Sequence, residues 1–352
     1  MQPVHIVGAG GIGCAIGYAL RMAGLPVVIV EAYDRKVEAG NRDGFQVDNR
    51  PHLTADFVHF KDWQPLPNDW VILCTKCYDN AAVLDRLTVP VRLLPIQNGF
   101  DPQLEAFGHE FEGIASFVAQ SDPFQPRVKI TRPGDLHLGR KSEGDNSDAE
   151  FKALSSALVK SDLFRTKLVA RTEPFKYTKL MYNAAISPLA AVSGIDNGRL
   201  LSDSLARRLF FALIQENHRI LTAAGIELGK IGPFHPSTVA WILRQKWLAA
   251  MMAKFFEPSL RGTYCSMAGE IQKGRTEIDN YNGHLLSLAE KCGTPAPLNR
   301  AVRDLVAEMT ARRAMPDPNV LAGLSPNCHV PEKDDPIIKT VKNAPENSNF
   351  RL

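Results

Sequence analysis

The sequence lacks the features that mark several large classes of protein. Only 6 cysteines stand among 352 residues, scattered between apolar neighbours, which is too few for a disulfide framework. No apolar run reaches the roughly 20 residues that a helix needs to cross a bilayer, and residues 1–3 carry no basic residue of the kind that begins a signal peptide. We therefore expect a cytoplasmic protein with reduced thiols and no membrane partner.

An excess of charge of one sign is also missing. The 41 lysines and arginines nearly balance the 38 aspartates and glutamates, for a net charge of +3. The basic residues are dispersed and no nucleic-acid-binding motif is present, so we expect no nucleic-acid partner. Cys74 and Cys77 form a CxxC pair, but neither a second pair nor a histidine stands at metal-ligand spacing, and we expect no bound metal.

What the sequence does contain is an alternation of strands and helices over its first half. Short apolar runs rich in β-branched residues predict strands, and small or periodic apolar stretches between them predict helices. This order indicates a parallel sheet with helices on its faces, an α/β arrangement. The predicted strands are residues 4–7, 27–30, 70–74 and 91–96, with helices over 14–23 and 80–87. Two further strands are expected over 113–119 and 127–130.

The second half is predicted to be helical, which divides the chain into two domains and a tail. Its periodic segments cover residues 174–192, 200–224, 236–256, 277–292 and 299–314. We expect a Rossmann-type dinucleotide-binding domain over 1–170, an all-helical domain for substrate and dimer contacts over 171–324, and a polar extended tail over 325–352. Binding pockets favour domain interfaces, so the site is expected in the cleft between the two domains.

A glycine-rich turn follows the first strand, in the order Gly8-Ala-Gly-Gly-Ile-Gly13. In a G-x-G-x-x-G turn of this kind Gly8 makes the tight turn, Gly10 lets the backbone approach a pyrophosphate, and Gly13 lets the helix pack on the sheet. The N-terminus of the helix that follows offers free N–H groups and a partial positive charge to the phosphates. The turn, strand and helix together predict dinucleotide binding.

An acidic residue, Glu31, ends the second strand 23 residues after the first glycine. A carboxylate at this place accepts hydrogen bonds from the ribose hydroxyls of NAD and repels the 2′-phosphate of NADP. Arg35 and Lys36 follow closely and offer positive charge to that phosphate. The sequence therefore favours NAD and leaves NADP as the alternative.

One predicted helix of the second half carries Lys179, Asn183 and Ser187 at four-residue steps. Residues at this spacing share one face, with a drift of about 40° per step. A partly buried lysine has a lowered pKa and can act as a general acid or base. The alternative is a solvated polar stripe on an amphipathic helix.

Two further segments carry polar residues where a ligand would bind. Gln97 and Asn98 follow a core strand, so their amides lie at the carboxyl edge of the sheet, where open α/β sheets bind ligands. Glu277 stands at the start of a predicted helix that Thr276 could cap. For Glu277 a catalytic role and a favourable charge at the helix start are both open.

Taken together, these segments resemble the ketopantoate reductase (2-dehydropantoate 2-reductase) family over about residues 4–312. The resemblance implies a Rossmann domain joined to a helical domain of the 6-phosphogluconate dehydrogenase type. It also implies reduction of the 2-keto acid ketopantoate to pantoate by a nicotinamide cofactor. The motifs that carry it are Gly8–Gly13, Thr75-Lys76, Gln97-Asn98-Gly99, Arg132-Pro-Gly-Asp-Leu-His-Leu-Gly139, Lys179-Leu-Met-Tyr-Asn183 with Pro188, Asn197-Gly198, Ser266-Met267, and Thr276-Glu277-Ile-Asp279 with Asn282-Gly283.

Carried onto the matching positions, the resemblance implies a role for each candidate residue. Lys179 would be the general acid and Glu277 the active-site glutamate. The implied substrate-binding residues are Asn98, Asn183, Ser187, Thr263 and Ser266. The implied cofactor-binding residues are Gly8, Gly10, Gly11, Ile12, Gly13, Glu31, Lys76, Gln97, Asn98 and Glu277.

Two other functions remain open from the sequence. A related NAD-dependent 2-hydroxy-acid or opine-type dehydrogenase would share the glycine turn and Lys179 but take another acid. A non-catalytic dinucleotide sensor would need the turn alone. Residues 241–252, with two Trp and two Met, are interpreted as a core helix or as a dimer contact, and we expect a homodimer.

Overall fold

The computed structural model describes residues 2–144, 148–265 and 267–324. The predicted tail and the candidate residue Ser266 lie outside these ranges. The strands are β1 (Val4–Val7), β2 (Val27–Glu31), β3 (Gln46–Val47), β4 (Asp56–His59), β5 (Trp70–Leu73), β6 (Arg92–Pro95), β7 (Phe111–Ala115), β8 (Val118–Ser121), β9 (Arg127–Arg132), β10 (Asp135–Arg140) and β11 (Arg165–Arg171).

The helices lie mainly in the second half of the chain. They are α1 (Gly11–Met22), α2 (Asp34–Asp43), α3 (Asn80–Leu84), α4 (Pro102–Phe107), α5 (Ala149–Val159), α6 (Glu173–Ser193), α7 (Arg199–Ser202), α8 (Ser204–Ala223), α9 (Pro236–Arg244), α10 (Lys246–Leu260), α11 (His284–Lys291) and α12 (Pro297–Ala311). In the ranges described, no helix combines the length and apolar character that spanning a membrane requires.

A five-stranded parallel sheet forms the first half, in the order β4-β2-β1-β5-β6. β1 lies at its centre, with Val4 opposite Val27 of β2 and opposite Trp70 of β5. All residues of β1 and β5 are buried, as expected for central strands covered on both faces. The predicted α/β class with a parallel Rossmann-type sheet is confirmed.

Two small sheets extend this half, and the sequence predicted them only in part. They have the orders β11-β10-β7 and β3-β9-β8. The single strand expected over 113–119 is two strands, because the chain turns between Ala115 and Val118. The strand β11 was not predicted, because its charged residues interrupt the apolar run that marks a strand. They also leave β11 partly exposed.

The predicted helical second half is confirmed, with two helices shorter than expected. The stretch 200–224 is interrupted at Asp203, whose carboxylate accepts hydrogen bonds from the N–H groups of Leu205 and Ala206 and so begins α8. The stretch 236–256 is interrupted at Gln245, which is extended. A turn of π-helix over Asp279–Gly283 precedes α11.

A buried ion pair joins the two halves where α6 leaves the small sheet. Lys176 of α6 and Glu112 of β7 are only 2% and 1% exposed, and the Lys176 ammonium donates to the Glu112 carboxylate. Burial alone would raise the pKa of Glu112, but Lys176 and His109 outweigh it and lower that pKa to about 2. Lys176, in the first turn of α6, thus keeps the Glu112 carboxylate ionised.

We expect Lys176→Met to lower the free energy of unfolding by about 3–5 kcal/mol, because it leaves a buried carboxylate without its partner. Urea denaturation followed by circular dichroism measures this. Since the pKa of Glu112 is depressed in the folded protein, the pair stabilises above about pH 4.5 and its contribution is lost as the pH falls towards 2.

The matched control is the double variant Lys176→Met with Glu112→Leu, which removes both charges. It should recover part of the lost stability and show a weaker dependence on acid pH than the natural chain. A single variant as stable as the natural protein would contradict the assignment.

Candidate active site

The glycine turn has the geometry that a bound pyrophosphate requires. Gly8 has φ of +101°, and a Cβ on Gly13 would lie 2.0 Å from the Gly8 carbonyl oxygen. Within the described chain, a Cβ on Gly10 would meet nothing within 4 Å, and no side chain caps the start of α1. α1 begins at Gly11 rather than at residue 14 as expected, so its free N–H groups face this open space.

Glu31 lies beside this turn. The residue before it in β2, Val30, accepts a hydrogen bond through its carbonyl from the Gly8 N–H. Its Oε1 accepts hydrogen bonds from the N–H groups of Ala32 at 2.6 Å and Tyr33 at 3.2 Å, which fixes the carboxylate at the end of β2. The turn and this held carboxylate fit a dinucleotide.

Lys36 borders the same turn from α2. Its ammonium donates to the Ser121 hydroxyl at 2.8 Å, and that hydroxyl lies 3.5 Å from the carbonyl of Ala9. Arg35 stacks on Phe124 instead, with 5.6 Å between the guanidinium carbon and the ring centroid. Of the two basic residues, Lys36 is therefore the one fixed next to the phosphate-binding turn.

Lys76, after β5, is held by two carboxylates of the helical half. Its Nζ lies 2.9 Å from Glu277 Oε2 and 2.6 Å from Glu270 Oε1. The N–H of Cys77 also donates to Glu277, at 3.1 Å. Burial would lower the pKa of Lys76, but Glu277 and Glu270 outweigh it and raise that pKa. Glu277 therefore binds a lysine and a backbone group of the other half, from a position just before the helical turn over Asp279–Gly283.

The amide of Gln97 fixes the carboxyl edge of the sheet. Its Nε2 donates to the Thr75 carbonyl at 2.8 Å and to Asn80 Oδ1 at 2.7 Å. Asn98 follows it and is half-buried. Two residues later, the N–H of Phe100 donates to the carbonyl of Asn280 at 3.0 Å, so the loop of Asn98 touches the helical half.

The CxxC cysteines are free thiols in this arrangement. Burial raises the pKa of both Cys74 and Cys77, which keeps them protonated and poorly reactive. Across the described ranges, no three His, Cys, Asp or Glu side chains are grouped to hold a metal ion.

A cavity of about 390 Å³ lies between the helical half and the turn after β9. α6 contributes Lys179 and Asn183, and the first half contributes Ser116 and Arg132. The remaining wall is mostly apolar. Its aromatic members are Tyr182, Phe210, Phe211, Phe234 and Phe256.

The ammonium of Lys179 is placed for acid–base chemistry at neutral pH. Burial, and then the positive charge of Arg132, lower its pKa to about 8. Lys176, one turn earlier on α6, has its pKa raised, since Glu112 outweighs the effect of burial there. Two lysines of one helix thus have opposite shifts, because only Lys176 faces a carboxylate.

Three predicted substrate residues, Asn98, Ser187 and Thr263, are not among the residues that line this cavity. Ser187 is buried, and its carbonyl accepts a hydrogen bond from the Cys265 thiol at 3.3 Å. Thr263 is buried as well; its hydroxyl donates to the Leu260 carbonyl at 2.6 Å and accepts from Asn197 at 3.1 Å. Successive four-residue steps rotate around the helix, which turns Ser187 away from the wall that Lys179 and Asn183 form. Their substrate contacts stay predictions.

Sequence reasoning missed three charged residues of this region: Arg132, Lys176 and Glu270. Arg132 was noticed only as the first residue of a motif. Lys176 precedes Lys179 by three residues, and its partner Glu112 is 64 positions away in the chain. No local pattern signals such long-range pairs.

Comparison with known families gives two matches that together span more than half of the chain. Residues 4–142 match the family model Ketopantoate reductase PanE/ApbA, and residues 173–310 match the model Ketopantoate reductase PanE/ApbA C terminal. The chain is 26% identical over 307 residues to a 2-dehydropantoate 2-reductase of Pyrococcus horikoshii, covering 84% of this chain and 93% of that relative.

Solved structures share the fold at low identity. A complex of D-mandelate dehydrogenase with NADH is similar with a TM-score of 0.67 and 22% identity, covering 92% of this chain and 100% of that one. A dimeric ketopantoate reductase from Staphylococcus aureus has a TM-score of 0.66 and 17% identity, covering 89% and 100%.

Two glycine variants separate ligand contact from packing. Gly10→Ala places its methyl group in open space, so we expect unchanged stability but at least about tenfold weaker NADH binding, because the methyl group meets the pyrophosphate. Gly13→Ala should weaken binding and also destabilise the fold, since its Cβ collides with the Gly8 carbonyl. Fluorescence titration with NADH and urea denaturation check both. Undiminished NADH binding by Gly10→Ala would contradict the assignment.

Proposed function

The chain belongs to the ketopantoate reductase family and is an NAD(P)-dependent oxidoreductase; from this premise we propose that it reduces a 2-keto acid, with ketopantoate as the expected substrate. The observation that carries the proposal is Lys179, a half-buried lysine with a pKa of about 8 in the wall of a cavity between the two halves. A keto group that accepts hydride needs a proton donor of this kind.

In the proposed mechanism the bound nicotinamide supplies the hydride. Lys179 donates a hydrogen bond to the keto oxygen, stabilises the charge that develops there, and then gives up its proton. The amides of Asn183 and Asn98 orient the substrate. Glu277 acts as a positioning residue, because it holds Lys76 and the Cys77 backbone at the end of β5.

The cofactor would be held by the glycine turn and the carboxyl edge of the sheet. The N–H groups at Gly11 and Ile12 would bind the phosphates, and Glu31 the ribose. Lys76 and Gln97 line the carboxyl edge, where parallel sheets of this kind bind their ligands. A held carboxylate at the end of β2 supports a preference for NAD over NADP.

A second candidate is a 2-hydroxy-acid dehydrogenase that takes a bulkier, aromatic acid. The aromatic wall of the cavity favours it, and the fold is shared with D-mandelate dehydrogenase. A panel of ketopantoate, 2-ketoisovalerate and phenylglyoxylate with NADH and NADPH separates these functions. Cofactor binding without turnover of any of these acids would instead indicate a dinucleotide sensor.

We also propose a homodimer that forms through α9 and α10. Trp247, Met251 and Phe255 lie at four-residue steps along α10 and are exposed, Phe255 by 77%, with Trp241 of α9 beside them. A row of large exposed apolar side chains is typical of an interface. Dimerisation is described for the Staphylococcus aureus ketopantoate reductase.

Replacing Lys179 by alanine should lower kcat about 10²–10⁴-fold, because the proton donor is removed. In the natural enzyme, kcat/KM for keto-acid reduction should fall as the pH rises above about 8, where Lys179 loses its proton. This decline should vanish in the variant. Stopped-flow or steady-state oxidation of NADH across pH 6–10 measures both.

The control is Lys254→Ala, an exposed lysine on α10 whose loss should leave turnover and its pH profile unchanged. Near-normal turnover by Lys179→Ala would show that another group donates the proton.

The carboxylate of Glu31 should make NADH the better cofactor, because it repels the 2′-phosphate of NADPH. Glu31→Gln removes that charge and should raise the ratio of NADPH to NADH efficiency by at least about tenfold. KM and kcat for both cofactors give the ratio. A strong NADPH preference in the natural enzyme would overturn this prediction.

Introducing a charge at the most exposed residue of this row, by Phe255→Asp, should convert a dimer to a monomer. A buried charge without a partner opposes association. Sedimentation-velocity measurements over a range of concentrations detect the change, with Leu66→Asp, at an exposed loop residue of the first half, as the control. A natural protein that sediments as a monomer contradicts the proposed dimer.

A further inference from the structure

Three cations line the cavity, and two of them, Lys179 and Arg132, have no carboxylate to neutralise them among the described residues. Lys179 and Arg132 both line it, and no ion pair to either side chain occurs in residues 2–144, 148–265 and 267–324. The acid of the cavity wall, Asp135, is already paired with Arg165 at 2.7 Å and Lys167 at 2.6 Å. The cavity therefore presents unbalanced positive charge.

An unpaired guanidinium in a half-buried place is unfavourable for the free protein. Burial lowers the pKa of Arg132, and its charge in turn opposes the protonation of Lys179. Buried charges in proteins are normally paired. The missing partner of Arg132 is thus expected to be an anion that arrives from outside.

The fold holds Arg132 firmly in this position. It ends β9, where it pairs with Val118 of β8. The turn that follows requires Gly134, since a Cβ there would lie 2.5 Å from the backbone nitrogen of Phe117. A tight glycine turn next to a paired strand end fixes the backbone of Arg132 at the cavity wall.

The same strand pair connects Arg132 to the predicted cofactor site. The carbonyl of Ala119, the residue after Val118, would lie 2.2 Å from a Cβ on Gly11 at the start of α1. Ser121, at the end of β8, lies 3.5 Å from the carbonyl of Ala9. The paired strands β8 and β9 therefore link the position of Arg132 to that of the glycine turn.

We propose that Arg132 binds the carboxylate of the substrate and thereby directs its keto oxygen towards Lys179. The proposal rests on the function proposed above, for which Arg132 becomes the residue that selects 2-keto acids over neutral ketones. The planar guanidinium fork matches a carboxylate with two parallel hydrogen bonds. In a 2-keto acid the carboxylate and the keto group are on adjacent carbons, so neighbouring cations at Arg132 and Lys179 bind both.

The experiment compares phenylglyoxylate with its uncharged methyl ester, using NADH. Arg132→Gln should lower kcat/KM for the acid about 10²-fold, mainly through KM, and change that for the ester little. Arg132→Lys keeps the charge without the fork and should recover part of the loss. Because Arg132 lowers the pKa of Lys179, the alkaline decline of ester reduction should also move to higher pH in Arg132→Gln.

Arg165→Gln is the matched control. Arg165 is a guanidinium at the same cavity wall, but Asp135 already neutralises it and its side chain is 73% exposed. Its loss should leave the preference for acid over ester unchanged. An equal loss in both variants would show a general effect of positive charge and would overturn the assignment to Arg132.

Calorimetric binding of phenylglyoxylate to the protein loaded with NAD⁺, where no turnover occurs, separates this inference from the proposed function. Binding that depends on Arg132 without reduction by NADH would support the inference and contradict the proposed function. Reduction of phenylglyoxylate by NADH, with equal affinity for that acid in the natural protein and in Arg132→Gln, would support the proposed function and contradict the inference. Absence of any phenylglyoxylate binding by the natural protein would overturn the inference.

Discussion

The structure of the candidate site depends on the different surroundings of two lysines on one helix. Lys176 and Lys179 are three residues apart on α6; Lys176 is buried and Lys179 is half-buried. Lys176 meets Glu112 of the small sheet, which keeps it charged and anchors the start of the helix. One turn on, Lys179 meets Arg132 instead, and its pKa falls to about 8. The ion pair thus supplies the rigidity, and the absence of an ion pair at Lys179 among the described residues supplies the chemistry.

The elements that build the fold were predictable where apolar residues form continuous runs. β1, β2, β5 and β6 were recognised because central parallel strands are apolar on both faces. Elements with charged sequences were not: α2 is Asp-Arg-Lys-Val-Glu-Ala-Gly-Asn-Arg-Asp, and β11 is Arg-Thr-Lys-Leu-Val-Ala-Arg. Helix ends set by one polar contact were also missed, as at Asp203, since only the structure shows which N–H groups its carboxylate meets.

The candidate site was predictable to the extent that its residues belong to local patterns. The glycine turn and Glu31 lie in one short segment with fixed spacing, and Lys179 with Asn183 follows from helical periodicity. Periodicity could not place Ser187, because a small rotation of the helix separates a cavity wall from the core. Pairs such as Lys76 with Glu270 join residues nearly 200 positions apart, and only the packing of the two halves brings them together.

The electrostatic coupling between Arg132 and Lys179 connects substrate binding with the protonation of Lys179. With the site empty, the charge of Arg132 favours loss of the Lys179 proton. A carboxylate bound to Arg132 cancels that charge and adds its own attraction, so the pKa of Lys179 rises as the substrate binds. A 2-keto acid would therefore bring about the protonation that its own reduction requires. A neutral ketone would leave Lys179 partly deprotonated at the same pH, so selection for an acid would operate on proton transfer as well as on binding.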